Sequence, residues 1–250
     1  MHKIKILFVA CLIIFIFINI MHSQEELLSA KTLLEKLSES FKTNVRDLKA
    51  DIKLTQGNTI STGTLYFKNP QKVKIDFTDP PNQVICSNGY ELWVYIPYLN
   101  IVLHQNILER ERAKTDEDKD EKSDTATNET TEEPEMITNP ILLNPVGLDK
   151  FLTEYSIEYF ETKEKINYKD NTKVYQFKLI RWRSTKHGFN AIYLTIQDNG
   201  IIRKVKGITA SYKQIVLELD KIELNTNISD LKFNYEPPAH TSTVDDFINK

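Results

Sequence analysis

Seven glycines in 250 residues, none within five positions of another, leave no place for G-x-G-x-x-G or a P-loop. Nucleotide binding through a glycine-rich cradle is therefore excluded. The five histidines (His2, His22, His104, His187, His240) form neither H-x-H nor H-E-x-x-H, so nothing points to a metal. G-x-S-x-G is absent as well. Cysteine is limited to Cys11 and Cys86, too few for a disulfide scaffold once the N-terminal segment is set aside. Cys86 sits in the apolar run Val84-Ile85-Cys86 with no histidine nearby, and reads as a small core residue. Carboxylates such as Asp76 and Asp79 stand at strand ends without a catalytic partner. These absences predict a protein that is not an enzyme and carries no cofactor.

The N-terminus supplies a compartment. Lys3 and Lys5 precede an almost wholly apolar run of 15 residues, Ile6 to Ile20. That is short of the ~20 residues a membrane-spanning helix needs and suits a signal peptide over residues 1–23, hence export. The net charge of −3 hides an asymmetry. Residues 109–135 hold 12 acids and 5 bases, a net of −7, and almost nothing apolar. Such a stretch cannot bury enough surface to offset its ordering entropy and is predicted to be a disordered acidic insertion. The remainder is close to neutral, with no basic face for nucleic acid.

Residues 24–250 then read as a single domain. Leu27, Ala30, Leu34, Leu37, Phe41, Val45 and Leu48 recur at steps of three and four, predicting an amphipathic helix over Glu25–Leu48. Beyond it the period changes to two: Ile52/Leu54, Leu65/Phe67 and Val73/Ile75/Phe77 alternate with polar residues. Asn88-Gly89 between Val84–Cys86 and Leu92–Ile96 is a strong hairpin signal. Further strands are predicted over Tyr155–Glu161, Val174–Trp182, Phe189–Gln197, Ile201–Thr209 and Tyr212–Leu224, with a short helix over Gly147–Thr153. About ten strands and two or three helices make an α+β fold dominated by antiparallel sheet. Between Pro140 and Pro145 the apolar island Ile141-Leu142-Leu143 suits either a core plug or a lid.

Several segments, taken in order, resemble the LolA family of periplasmic outer-membrane lipoprotein carriers. They are Gly63-Thr64-Leu65-Tyr66-Phe67-Lys68-Asn69-Pro70, then Pro81-Asn82-Gln83-Val84-Ile85-Cys86-Ser87-Asn88-Gly89, then Leu92-Trp93-Val94-Tyr95-Ile96-Pro97. Pro140-Ile141-Leu142-Leu143, Asp198-Asn199-Gly200 and Leu231–Pro238 continue the likeness. The resemblance implies an incompletely closed antiparallel β-barrel covered by short helices, which form a lid over a hydrophobic cavity. It implies a carrier that shields lipoprotein acyl chains between the inner and outer membranes. The implied partners are those chains, an inner-membrane releasing transporter and an outer-membrane acceptor, with the carrier itself a monomer.

Alternation then assigns a cavity lining. The family's arginine that faces the cavity corresponds to Asn69, so Leu65 and Phe67 point the same way. Val73, Ile75, Phe77 and Ile85 on the next strands, Phe41 on the helix, and Ile141 and Leu142 in the lid complete the set. The resemblance implies that Asn69 is the gating position, where its amide offers two neutral donors of shorter reach than a guanidinium. A second functional class is a regulatory domain on the same half-barrel that senses lipid or lipoprotein rather than carrying it.

Overall fold

The computed structural model describes residues 28–107, 152–182 and 188–247. Ser29 starts the one long helix among them, its Oγ accepting the Thr32 amide at 3.1 Å. Helix α1 spans Ala30–Asn44 and buries Leu34, Leu37 and Phe41 along one stripe. Each such side chain contributes roughly 1.5–3 kcal/mol on leaving water.

Thirteen strands form one sheet: β1 (Asp47–Gln56), β2 (Thr59–Lys68), β3 (Lys72–Asp79), β4 (Val84–Ser87), β5 (Glu91–Ile96), β6 (Ile101–Asn106), β7 (Tyr155–Tyr159), β8 (Ile166–Asn167), β9 (Lys173–Arg181), β10 (Phe189–Gln197), β11 (Ile202–Thr209), β12 (Gln214–Leu224) and β13 (Ser242–Asp245). Their order is β13-β6-β5-β4-β3-β2-β1-β12-β11-β10-β9-β7, with β8 beside β9. The outer strands β7 and β13 do not pair with each other, so the sheet is large and open. Among the described residues, no helix is long and apolar enough to cross a membrane.

Four expectations need correction. The helix ends at Asn44 rather than Leu48: Val45 is already extended and closes the helix by donating its amide to the Phe41 carbonyl. Leu48 keeps the helical spacing by coincidence, because it is an inward residue of β1. The described residues form thirteen strands rather than about ten, since β6, β8 and β13 leave no clear period in the sequence. The sheet is not wholly antiparallel, because β13 runs parallel to β6. Asp76 is not a lone surface carboxylate: Lys232 Nζ reaches it at 2.8 Å.

The Asn88-Gly89 hairpin is as expected, with Asn88 Oδ1 accepting the amides of Tyr90 and Glu91 at 2.9 Å each. The signal segment, the acidic insertion, Ile141, Leu142 and His187 lie outside the described residues, as does the predicted helix before residue 152.

Register sorts the turns into two ends. Turns 57–58, 80–83, 97–100 and 210–213, with Trp182 after β9 and the start of β10, lie at one end, here the tip end. Turns 69–71, 88–90 and 198–201 and the β7–β9 connection lie at the other, the helix end.

After β12 the chain crosses the outer face of the sheet as a strap. Asp47 anchors its start by accepting the amides of Thr226 and Asn227 at 2.7 and 3.1 Å. Asp230 then pairs with Lys68 and Lys72. The Cys86 thiol donates to the Phe233 carbonyl at 3.4 Å. Cys86 is thus fully buried as expected, but under the strap and not in the main apolar cluster. Burial pushes its thiol up to about 11, the Lys74 charge opposing only in part, which keeps the sulfur protonated and unreactive.

Candidate functional site

Directly paired residues share a face, so the register can be read across the sheet as rows. One inward row runs Ala50–Leu65–Ile75–Ile85–Val94. A second joins Leu48, Phe67 and Val73, and a third joins Ile52, Gly63 and Phe77. All the apolar members are buried. Seven of the expected lining residues, Phe41, Leu65, Phe67, Val73, Ile75, Phe77 and Ile85, therefore meet in a single apolar cluster.

Helix α1 covers this face. The Phe41 and Phe67 rings lie 5.6 Å apart at 46°. The helix lies toward the helix end of the sheet, and three contacts hold it there. Asn69 Nδ2 donates to the carbonyl oxygens of Lys42 and Val45, at 3.1 and 3.4 Å. Tyr159 Oη donates to the Leu28 carbonyl at 2.8 Å. Gly200 supplies the third: a Cβ there would sit 2.1 Å from the Leu37 carbonyl oxygen and 2.8 Å from Phe41 Cβ. Its φ of +82° also suits glycine. The short amide of Asn69 thus reaches the last carbonyls of the helix, because Gly200 and the β2–β3 turn bring helix and sheet close together.

The residues expected from sequence cover only the β2–β4 half of the face. The other half is a row of the same kind: Leu54–Leu217–Val205–Leu194–Phe177–Tyr159. Alternation within the predicted strands carries that signal, but no motif marks which parity faces inward.

The outer face is chemically different. Lys49–Glu223 and Lys204–Glu218 pair across neighbouring strands, and Lys169 from the β8–β9 turn pairs with Asp220 on β12. Arg203 is buried, yet its guanidinium meets Asp170 at 2.7 Å, the Leu219 carbonyl at 3.2 Å and the Tyr168 ring at 5.0 Å. The Thr172 hydroxyl and Arg203 together hold the Asp170 carboxyl well below the usual range. No group of three His, Cys, Asp or Glu side chains among the described residues is arranged to hold a metal ion.

Among the described residues, a large open sheet with one apolar face covered by helix α1 is an architecture consistent with a half-barrel. Residues 39–158 match the family model described as outer membrane lipoprotein carrier protein LolA. The resemblance read from the hairpin segments is thereby shown over that span, and the family it points to is one of carriers, not of catalysts. No curated protein matches the chain.

Among solved structures, an uncharacterized conserved protein from Thermus thermophilus is similar in fold. Its TM-score is 0.52 at 9% identity, covering 86% of this chain and 98% of that one. MucB overlaps with a TM-score of 0.51 at 8% identity, covering 86% of this chain and 65% of MucB, so the chain spans about two thirds of its length. MucB is also solved in the Pseudomonas aeruginosa MucA/MucB complex. A LolA superfamily protein from Nitrosomonas europaea matches with a TM-score of 0.37 at 13% identity, covering 83% of this chain and 98% of that one.

Proposed function

We propose that this protein is an exported carrier that shields the acyl chains of lipoproteins on the concave face of its sheet and moves them between membranes. The observation that carries the reading is the continuous apolar face built from β1 to β5 and β9 to β12, covered by helix α1, in a chain whose residues 39–158 match the LolA family model. Leaving a bilayer costs an acyl chain roughly 0.8 kcal/mol per CH₂, so a lipoprotein with two or three chains stays in its membrane unless an apolar surface of similar area receives it. No bond is made or broken, and binding and release suffice.

In this reading residues 1–23 direct export, residues 24–250 form the carrier, and 109–135 are a solvated acidic insertion. Acyl chains take the place of the α1 stripe on Leu65, Phe67, Val73, Ile75, Phe77 and Ile85. Phe41 moves aside with the helix, and Ile141 and Leu142 close over the chains. Asn69 is the latch: its bonds to Lys42 and Val45 hold the closed form, and breaking them frees the end of the helix. A releasing transporter on one side and an acceptor on the other supply the asymmetry that passive binding lacks.

Incubating the purified protein with membranes bearing labelled lipoproteins tests this. Labelled lipoprotein is expected in the soluble fraction with the wild type, and not with Ile75→Glu, whose carboxylate would be buried unpaired. Because that variant also stresses the fold, acyl-bearing molecules co-purifying with the wild type are measured by mass spectrometry. Lipoprotein that stays in the membrane, together with a protein that carries no acyl chains, would overturn the reading.

A further inference from the structure

The carrier reading says nothing about how the protein meets a membrane, and the exposed apolar residues do. Single exposed hydrophobic side chains are ordinary on a soluble protein. Here they are not scattered. Of nine large hydrophobic residues exposed among the described ones, five belong to the tip end: Ile60, Tyr98, Leu99, Trp182 and Tyr212. Tyr98, Trp182 and Tyr212 are 82%, 72% and 83% exposed, so most of each side chain faces solvent. They stand on three different strand connections, those of β5–β6, β9–β10 and β11–β12, and Ile60 is the second residue of β2, all at one end of the sheet.

The turns at this end carry no acid, the adjoining carboxylates being Asp79 at the end of β3 and Glu154, whose carbonyl accepts the Trp182 amide and whose side chain pairs with Arg181. Turns 57–58, 80–83, 97–100 and 210–213 hold a single charged side chain, Lys213, in a chain that is 27% charged. The helix end differs: its β7–β9 connection alone carries Glu161, Lys163, Glu164, Lys165, Lys169 and Asp170. Aromatic residues with a polar edge, set on separate turns, are poorly suited to one protein groove, which would need them contiguous. They suit a plane that is apolar a few ångströms down and polar above, where Trp and Tyr concentrate.

We infer that the tip end docks into the interface of a lipid bilayer, with Tyr98, Leu99, Trp182 and Tyr212 entering the headgroup and upper acyl region. This deepens the carrier reading and rests on it for its purpose. The inward rows end at Leu54 and Phe77 next to these turns, so docking brings the apolar face to the membrane while α1 stays at the far end.

The protein has two tryptophans, and Trp93 is stacked on His104 at 5.6 Å, so Trp93→Phe leaves Trp182 as the reporter. The probe is a protein-free vesicle of phosphatidylcholine and phosphatidylglycerol, with and without brominated acyl chains. Trp182 emission is expected to shift to shorter wavelength and to be quenched by the brominated lipid. Combining Tyr98→Ser, Leu99→Ser and Tyr212→Ser should weaken vesicle partition about tenfold while leaving thermal stability and co-purifying acyl chains as in the wild type. Trp182 that stays unquenched would overturn the proposal even if the protein sediments with vesicles, since another segment would then be the anchor. Association with native membranes but not with protein-free vesicles would also overturn it, in favour of a protein partner. Quenching in a protein that carries no acyl chains would leave the docking surface standing and remove the carrier reading.

Discussion

The two ends of the sheet are built from the same strands and differ in nearly everything else. At the helix end, turns are polar, and the chain is held by directed contacts: Asn69 to the end of α1, Tyr159 to its start, and Gly200 against its middle. At the tip end the described turns are almost uncharged and carry aromatic rings that mostly face solvent. Stability is concentrated where side chains are buried and matched. Exposed apolar groups contribute little to the fold and are free to serve contact with something else. The difference predicts that substitutions of similar size have opposite consequences at the two ends.

The largest effect is expected from Phe67→Ala. Phe67 is fully buried against Phe41, and truncating such a ring costs about 3–5 kcal/mol. Denaturant titration reads it directly, and a loss below about 1 kcal/mol would mean that the helix does not pack on this face. Gly200→Ala should come next, at upwards of about 2 kcal/mol, because a Cβ meets the Leu37 carbonyl in a backbone conformation that costs an L residue about 1–2 kcal/mol by itself. A folded, equally stable Gly200→Ala protein would show that α1 can sit elsewhere.

Cys86 gives a pH-dependent test at the strap. Its folded thiol ionises at about 11, above the ordinary value of 9.0, chiefly through burial. The folded state therefore favours the protonated form. Its contribution to stability is complete below pH 9 and is lost as pH rises toward 11. Cys86→Ala should flatten that limb of the stability profile, and native Cys86 should resist alkylation at about pH 8 yet react once unfolded. Rapid native alkylation would mean that the strap does not cover it.

Removing the Asn69 contacts with the helix is a smaller change. Asn69→Ala deletes two hydrogen bonds to helix carbonyls and should cost about 1 kcal/mol. Faster hydrogen exchange should be confined to the last turn of α1, and exchange that rises everywhere would identify Asn69 as a general fold residue instead. The smallest effect belongs to the tip end. Tyr98→Ser and Tyr212→Ser should each stay within about 0.5 kcal/mol of the wild type, and a drop of about 2 kcal/mol at either would erase the contrast between the ends.

Much of this is readable in the chain itself, and the failures are instructive. Strands β2 and β3 are plain because one of their faces is buried and the other partly wet, so Leu65/Phe67 and Val73/Ile75/Phe77 alternate with polar residues. Strand β6 is hidden because its core side carries Leu103 while Val102, on the opposite side, is also fully buried, so Ile101-Val102-Leu103 shows no alternation. Under the strap, β4 loses the period for the same reason, with Ile85, Cys86 and Ser87 all buried in succession. Helix α1 reads four residues too long at its C-terminus, since the strand that follows at once supplies Leu48 in step with the helical spacing. The seven lining residues within the described chain do come together, because alternation fixes parity and ladder pairing carries it from strand to strand.

Sequence alone therefore determined what is local: the helix and most strands, the Asn88-Gly89 turn, and which residues of β2 to β4 share a face. Period and turn chemistry act over a few residues and leave their mark in consecutive positions. Only the tertiary structure decided that β1 pairs with β12 and β13 with β6, and that Cys86 lies beneath a strap rather than in the main cluster. It also decided that five exposed apolar side chains, spread along the chain from Ile60 to Tyr212, share one end of the sheet. Those facts depend on strand order and register, which bring together residues distant along the chain and which no short pattern records.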